Sequence, residues 1–554
     1  MTSDEFDVVV VGSGAAGMTA ALAARRRGLS AVVAEKATTF GGSTARSGGG
    51  VWVPNNDTLR RGGAPDTPEA AAAYLSAIVG DTVAPDRLRA LLDRGPEMLA
   101  MVTEATPLRF AWVRGYSDYY PEAPGGFAVG RTVEPRLLDG HLLGDELVNL
   151  NPPYLASPAG FPVTEAHYKW LNLIARHPRG TVSALSVGLR WLVAKARGQR
   201  LLTMGQALAA GLRIGLQRSD VPVWLNTPLV DLVTEDDAVT GVLVRRDGAD
   251  VPIRARRGVI LAAGGFEHND QMRKQYQREP IGTGWTVGAK ENTGDAILAG
   301  QRQGAALDLM DDAWWGPSIP LTGGPYFCLA ERTLPGCIMV NARGERFVNE
   351  AAPYVDAVHA MYGEGDGPAV NIPTWLIADQ RYRNRYMFAG RGPRQKFPGR
   401  WYKAGAVVRA DTLADLASRT DLPADALEST VARFNGFARA GVDEDFHRGD
   451  SAYDHYYGDP RVKPNPSLAP LDEPPYYAVK MVPGDLGTKG GLRTDARARV
   501  LRADGTAVPG LYAAGNTSAA VMGHTYAGAG ATIGPAMTFG YIAALDIAAR
   551  TGGS

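Results

Sequence analysis

After a short polar start the chain turns apolar at Phe6-Asp7-Val8-Val9-Val10-Val11, a β-branched run that predicts a short strand buried on both faces. Small apolar residues from Ala15 to Arg27 predict a helix stopped by Gly28, and Leu29 to Ala34 predicts a second strand ending at Glu35. Two later runs have the same form. Val259-Ile260-Leu261-Ala262-Ala263 closes on Gly264-Gly265, and Leu511-Tyr512-Ala513-Ala514 closes on Gly515-Asn516. Strands that feed glycines near both chain ends predict an α/β fold with a discontinuous Rossmann-like domain, residues 1–315 and 485–554. Between them, 316–484 predicts an inserted α+β domain, and Pro460, Pro464, Pro466, Pro470, Pro474 and Pro475 predict an extended return from it. Residues 130–205 read as an excursion on the first domain.

One segment of that excursion has a different pattern. From Ser186 to Leu202, Leu189, Trp191, Leu192 and Val193 alternate with Arg190, Lys195, Arg197 and Arg200. A helix docked on its own domain is the commoner outcome of such a pattern. Peripheral contact with a membrane surface is the alternative.

Composition narrows the function classes. Lysine plus arginine equals aspartate plus glutamate, 58 each, so the chain lacks the basic field of a dedicated nucleic-acid protein. A 45% hydrophobic content excludes disorder. Two cysteines, Cys328 and Cys337, are too few for a disulfide scaffold or a cysteine-ligated cluster. The acidic start, followed at once by a strand, predicts a cytoplasmic protein, and no run of ~18 apolar residues predicts a membrane span. No HExxH or clustered Cys/His spacing appears, so no metal is expected, and no GxSxG elbow appears. Glycine is the unusual residue, 67 in 554 against ~7% in ordinary chains.

Those glycines have addresses. Gly12-Ser13-Gly14-Ala15-Ala16-Gly17 joins the first strand to the first helix. Gly12 permits the tight turn, Gly14 the approach of a pyrophosphate, and Gly17 close helix–strand packing, while Glu35 can accept from a ribose hydroxyl. Strand, fingerprint, helix and spaced acid together form a strong dinucleotide signal, but they do not separate FAD from NAD. The loop Gly41-Gly42-Ser43-Thr44-Ala45-Arg46-Ser47-Gly48-Gly49-Gly50 and the two glycine-ended strands favour FAD, because they offer backbone N–H groups along an extended cofactor.

The fingerprint, the GGSTARSGG loop and the block Gly523-His524-Thr525-Tyr526-Ala527-Gly528-Ala529-Gly530-Ala531-Thr532-Ile533-Gly534 resemble the flavoprotein superfamily of fumarate reductase and succinate dehydrogenase. Within it, Gly115-Tyr116-Ser117-Asp118-Tyr119-Tyr120-Pro121-Glu122 and Gly484-Asp485-Leu486-Gly487-Thr488-Lys489-Gly490-Gly491 are most similar to the 3-ketosteroid Δ1-dehydrogenases. The resemblance covers nearly the whole chain. It implies an FAD-binding first domain and a catalytic insert. It also implies that Gly12, Gly14, Ala15, Ala16, Gly17, Glu35, Lys36, Gly42, Ser43, Thr44, Ser47, Gly48, Gly49, Ala263, Gly264, Gly515, Asn516, Ala531 and Ile533 line the FAD. Gly42 stands where covalent members carry a flavin-linked histidine, so the implied FAD is non-covalent.

The implied reaction introduces a double bond between ring carbons 1 and 2 of an apolar 3-ketosteroid. It needs a base for the carbon 2 proton, donors for the carbonyl oxygen, and FAD as hydride acceptor from carbon 1. The resemblance makes Tyr354 the base, Tyr119 its hydrogen-bonding partner, and Tyr526 with the Gly530 N–H the grip on the ketone. Tyr120 competes with Tyr119, and the Asp-Tyr spacing favours Tyr119. A free phenol titrates near ~10, so the base requires tuning. His524 reads as catalytic or, more often for a lone histidine, structural. Trp314, Trp315, Phe327 and Tyr116 are pocket or core. Where fumarate reductases hold two carboxylates with histidine and arginine, this chain offers Tyr, Ala and Gly. The alternatives are a 3-keto-5α-steroid Δ4-dehydrogenase, a fumarate-reductase-like enone reductase, or a non-catalytic flavoprotein. A quinone is one candidate electron acceptor.

Overall fold

The computed structural model describes residues 4–155, 160–365 and 367–550. Along the chain, β1 (Asp4–Val11), α1 (Ala15–Arg26) and β2 (Ala31–Ala34) form the expected strand–helix–strand unit. There follow α2 (Gly42–Arg46), α3 (Glu165–Asn172), α4 (Pro178–Ala196) and α5 (Met204–Arg218). The chain returns to the sheet through β3 (Val223–Trp224), β4 (Leu229–Glu235), β5 (Ala238–Arg246) and β6 (Ala249–Leu261). Next come β7 (Ala313–Ile319), β8 (Tyr326–Phe327), β9 (Cys337–Val340), α6 (Tyr354–Tyr362), β10 (Thr374–Asp379), β11 (Val407–Ala410), α7 (Ala452–Tyr456) and β12 (Tyr476–Thr488). Strands β13 (Arg499–Leu501) and β14 (Ala507–Ala513) and helix α8 (Ile533–Ala549) complete it.

The first sheet runs β13-β14-β6-β1-β2-β3, with β5 on β6 and β4 on β5. Strands β14, β6, β1, β2 and β3 are mutually parallel. Val8, Val9 and Val10 are fully buried in β1, which accounts for an apolar run without alternation. Helices α1 and α8 cover one face, and the C-terminal segment therefore completes a sheet begun by the N-terminal one. The second sheet runs β8-β7-β12-β10-β9, with β11 also on β12, and is antiparallel. The proposed boundaries fall on cross-strand partners, Trp315 with Asp485 and Gly316 with Gly484, where β7 pairs with β12.

The basic segment lies on α4, which ends at Ala196, before the segment's predicted end. Only Gly180, Val187 and Ala194 are buried on it, while Val182, Leu185, Leu189 and Leu192 are each more than half exposed. Its broad apolar face thus points to solvent. Among the described residues no helix is long and apolar enough to cross a membrane.

Candidate active site

The glycine fingerprint forms a turn whose packing requires glycine. Gly12 has φ +104°, and a Cβ on Gly17 would stand 2.0 Å from the Gly12 carbonyl oxygen. Glu35 braces this turn: one oxygen accepts from the Ser13 N–H at 2.8 Å and its hydroxyl at 2.6 Å, and the other from the Ala37 N–H at 2.8 Å. Burial raises the carboxyl above its ordinary value, against the pull of those donors. Ser13 Oγ in turn accepts from Gly41 at 3.0 Å, and Thr44 Oγ1 from Ala15 at 2.9 Å, so loop 41–50 is tied to the start of α1. Ser43 Oγ accepts from Ala289 at 2.9 Å, and Ser47 donates to the Thr44 carbonyl at 2.7 Å while accepting from Gly49. A side chain at Gly42 or Gly48 would enter open space, and one at Gly14 would meet only Thr44, at 3.8 Å. These open backbone faces at a helix start fit an extended, phosphate-bearing cofactor.

The C-terminal block packs next to the start of α1, where a Cβ on Gly515 would meet Ala16 at 3.3 Å. Gly264 accepts from Thr517 at 2.9 Å beside Ala263, Asn516 accepts from Trp314 at 3.0 Å next to Gly515, and Ala531 leads to Ile533 at the start of α8. The Lys36 ammonium bonds Asp295 at 2.7 Å and Thr293 at 2.6 Å.

Three tyrosines from distant segments meet beside this trough. The rings of Tyr119 and Tyr526 stack with centroids 5.2 Å apart, and Tyr354 stands edge-on to both, at 5.4 and 5.3 Å. Tyr119 donates to the Tyr354 hydroxyl at 3.2 Å. Tyr120 instead donates to Asp356 at 3.0 Å. Thr532 donates to the Tyr526 hydroxyl at 2.8 Å, and the Gly530 backbone is near enough to favour ionisation of the same phenol. A phenol and a nearby backbone N–H are the kinds of donor a polarised carbonyl oxygen needs.

Each tyrosine is held by named neighbours. Tyr354 is the first residue of α6, and the turn before it is fixed by Glu350, which Arg346 and Arg448 grip at 2.9 and 3.0 Å. Buried Arg332 donates to the carbonyls of Glu350 and Ala352. The 526–530 loop is pinned by Tyr74 on the Ala527 carbonyl at 2.6 Å, Thr132 on Ala529 at 2.7 Å, and the Trp52 N–H on Gly530 at 3.1 Å. Tyr119 follows Asp118, which accepts from Trp52 at 2.9 Å and pairs with buried Arg131.

Burial pushes the Tyr119 and Tyr354 phenols well above their ordinary value, and for Tyr354 the bond from Tyr119 works in the opposite direction without prevailing. Tyr526 is raised by burial too, opposed by Thr532, Tyr354 and Gly530.

Of the four aromatic candidates, three join this cluster. Trp314 meets Tyr526 at 4.9 Å, Phe327 meets Tyr354 at 5.2 Å, and Tyr116 meets Tyr119 at 6.2 Å. Trp315 packs elsewhere, on Tyr362. His524 bonds Asp312 at 3.1 Å, together with Lys489 at 2.9 Å and His359 at 3.0 Å, and so belongs to a polar hub. Sequence reasoning missed that hub and also Tyr453, Tyr456 and Tyr457. The aromatic run Tyr453-Asp454-His455-Tyr456-Tyr457 was the available signal for the tyrosines.

The family model described as an FAD binding domain matches residues 7–533. The chain is 61% identical over 561 aligned residues to 3-oxosteroid 1-dehydrogenase of Mycobacterium tuberculosis (strain ATCC 25618 / H37Rv), covering 100% of each. It is 36% identical to 4-oxocyclohexanecarboxylate 2-dehydrogenase of Sinomonas cyclohexanicum, over 99% of this chain and 94% of that one. Among solved structures it matches 3-ketosteroid delta1-dehydrogenase from Sterolibacterium denitrificans, in complex with 1,4-androstadiene-3,17-dione. That match has a TM-score of 0.94 and 43% identity, over 99% of this chain and 100% of that one.

Proposed function

The chain belongs to the FAD binding domain family, and from that premise we propose that it oxidises 3-ketosteroids, introducing a double bond between carbons 1 and 2. It is an FAD-dependent oxidoreductase. The observation that carries the steroid reading is the meeting of Tyr119, Tyr354 and Tyr526.

In this reading Tyr526 and the Gly530 N–H hold the carbonyl oxygen at carbon 3 and stabilise the charge that develops there as the carbon 2 proton leaves. Tyr354 takes that proton, and Tyr119 holds Tyr354 in place and donates to its oxygen. Trp314 and Phe327 keep the pocket apolar and dry. FAD, bound non-covalently along the glycine trough, supplies hydride acceptance. Anaerobic addition of androst-4-ene-3,17-dione to the purified holoenzyme is expected to bleach the flavin and yield the 1,4-diene. Unchanged flavin absorbance ends the reading, and a product unsaturated elsewhere on the ring moves it to a sister reaction.

The substrate is apolar, and we place the protein in the cytoplasm with α4 laid on an anionic membrane surface. Support comes from the exposed face of Val182, Leu185, Leu189 and Leu192 beside Arg190, Lys195, Arg197 and Arg200. A quinone dissolved in the same bilayer is the electron acceptor we favour. Co-sedimentation with phosphatidylserine-containing liposomes is expected for the native protein and lost in Leu185→Glu/Leu189→Glu. No co-sedimentation of the native protein removes the membrane role.

A further inference from the structure

A carboxyl away from the tyrosines lies behind the glycine trough. Glu267, in the turn after β6, is fully buried. Three glycines make room for it. A Cβ on Gly288 would stand 2.3 Å from its Oε1, one on Gly487 3.3 Å from Oε1, and one on Gly265 2.8 Å from Oε2. Oε1 accepts from the Asn292 amide at 2.6 Å, and the same nitrogen donates to Ser43 at 3.1 Å. A Cβ on Gly264 would strike Asn292, and the one on Gly487 would stand 2.6 Å from Asn516 Nδ2. One residue therefore separates Glu267 from Ser43, Gly264 and Asn516, which are read above as lining the FAD.

The second oxygen is different. Oε2 is enclosed and has no hydrogen-bond partner. A buried carboxylate calls for donors on both oxygens, whereas a neutral carboxyl is left so at far lower cost. The neighbouring charges point the same way. Arg273, on the helix Asp270–Tyr276, gives Nη1 to Asp485 on β12 at 2.7 Å, and both side chains are fully buried. Asp485 also accepts from Thr286 at 2.6 Å and from the Gly487 N–H at 2.9 Å. An ionised Glu267 adds a second negative charge beside that one cation. Burial and Asp485 push the Glu267 carboxyl up to about 7, against Asn292 and Arg273. His268, next in the chain, faces the Gly288 carbonyl at 3.4 Å and is lowered by burial.

We propose that Glu267 is the proton partner of the flavin, binding a proton from solvent as the flavin is reduced and releasing it as the flavin is reoxidised. A hydride brings two electrons and one proton to a neutral flavin, and so adds one negative charge. That charge repels an ionised Glu267 and favours its neutral form. One proton from water then forms the O–H bond on Glu267, and the summed charge of flavin and carboxyl is the same before and after. When a two-electron acceptor removes the charge, the O–H bond breaks and the proton returns to water. Glu267 itself is neither oxidised nor reduced. By reciprocity, the neutral carboxyl favours the reduced flavin as strongly as the reduced flavin favours the proton. The proposal needs bound FAD and not the steroid step, so the two fail separately.

The test is the pH dependence of the flavin potential, measured without steroid. Holoenzyme is reduced slowly by xanthine and xanthine oxidase beside reference dyes, from neutral to alkaline pH. The native slope should correspond to about two protons per electron pair from about pH 7 upward, and to about one at the alkaline end, where Glu267 is ionised in both states. Glu267→Gln, which has the shape of the neutral carboxyl, should show about one proton per pair throughout and a higher potential than native at the alkaline end. Glu267→Asp, which keeps a carboxyl, should restore the steep segment. Glu165 is the control, a second enclosed carboxyl with an unpartnered oxygen, pushed up to about 8 by burial. Glu165→Gln should leave the slope unchanged.

A measurement on the native chain alone covers the case in which Glu267→Gln loses its flavin. The infrared difference spectrum, reduced minus oxidised, taken just above neutral pH, should gain a carboxylic-acid C=O stretch and lose a carboxylate band. Equal slopes in the native and Glu267→Gln proteins overturn the proposal. So does a native infrared spectrum without the new band, or a slope flattened by Glu165→Gln instead. A steep native slope with no bleaching by androst-4-ene-3,17-dione leaves the proposal standing and fails the steroid reading alone.

Discussion

Tyr526→Phe isolates the grip on the ketone. The ring is 3% exposed and packs against Tyr119, Tyr354 and Trp314 at 5.2, 5.3 and 4.9 Å. Phenylalanine keeps all three contacts and removes one oxygen. Thr532 loses the acceptor it now reaches at 2.8 Å, at about 1 kcal/mol of stability. The chemical step loses more. One donor to a developing oxyanion in a dry site is worth about 2.7–4 kcal/mol, or roughly 100- to 1,000-fold in rate. Because the Gly530 N–H remains, the residual rate should be measurable. Rapid mixing of reduced steroid with oxidised holoenzyme, over a range of steroid concentrations, separates the two effects. The limiting rate of flavin bleaching should fall about 100-fold or more, while the concentration for half-maximal rate changes by no more than about threefold. A limiting rate within about threefold of native refutes the role. A rate that is unchanged at saturation with much weaker binding refutes it as well, since the hydroxyl would then serve ground-state binding alone.

Gly17→Ala places a Cβ 2.0 Å from the Gly12 carbonyl oxygen; the protein should lose most of its flavin on gel filtration, read from the ratio of flavin to protein absorbance. Glu350→Ala strips buried Arg448 of its carboxylate and leaves Arg346 only Asp443, and should cost about 3–5 kcal/mol in urea unfolding of the holoenzyme. Asp312→Asn leaves buried Lys489 without its counter-charge and should destabilise by a similar amount. The Asp312 carboxyl is held well below its ordinary value, by Lys489, His359 and His524 against burial. Its contribution is therefore present above ~3.9 and lost as pH falls through the lower folded value. The His524 imidazole is raised by its bond to Asp312, so its contribution is full below ~6.5 and lost as pH rises through the folded value. His524→Gln should flatten the alkaline part of a melting-temperature profile and shrink the acid part, which Lys489 and His359 still sustain.

The cofactor half of the fold was legible because its signals are local. Strand, glycine turn, helix and acid lie within 6–35, and each glycine has a steric reason that can be stated from the sequence. The site is different. Nothing near 119 points to 354 or 526. The three meet because α6 starts after a turn clamped by Glu350, while the 526–530 loop is strapped to residues 52, 74 and 132. Such long-range pairings leave no periodic trace, so only family resemblance assigned these tyrosines. The same holds for Tyr457, which meets Tyr116 from just past α7. On α4, hydrophobic periodicity correctly marked an amphipathic helix but could not tell which face turns inward. The chain buries the narrow stripe of Gly180, Val187 and Ala194 and leaves the broad apolar one outside.

The substrate's charge follows from what surrounds Tyr354 and Tyr526. Their ring and hydroxyl neighbours are Tyr119, Phe327, Trp314 and Thr532, all neutral. Two buried cations lie in neighbouring segments. Lys489 lies against Trp314 but bonds Asp312, and Arg332 gives one nitrogen to the carbonyls of Glu350 and Ala352 while its other two are unpartnered. A dicarboxylate brought to this point would lose its hydration and find no cation among the direct neighbours of Tyr354 and Tyr526, at a cost of several kcal/mol for each unpaired charge. A ketone needs only one polarised oxygen and loses little on desolvation. Fumarate should therefore fail to reoxidise the reduced flavin, and succinate should fail to bleach the oxidised one, at millimolar concentrations where a 3-ketosteroid acts in the micromolar range. Turnover of either dicarboxylate would mean that Arg332 or Lys489 leaves its present partner when substrate arrives, and crosslinking Lys489 to Asp312 would then abolish that turnover while sparing the ketone.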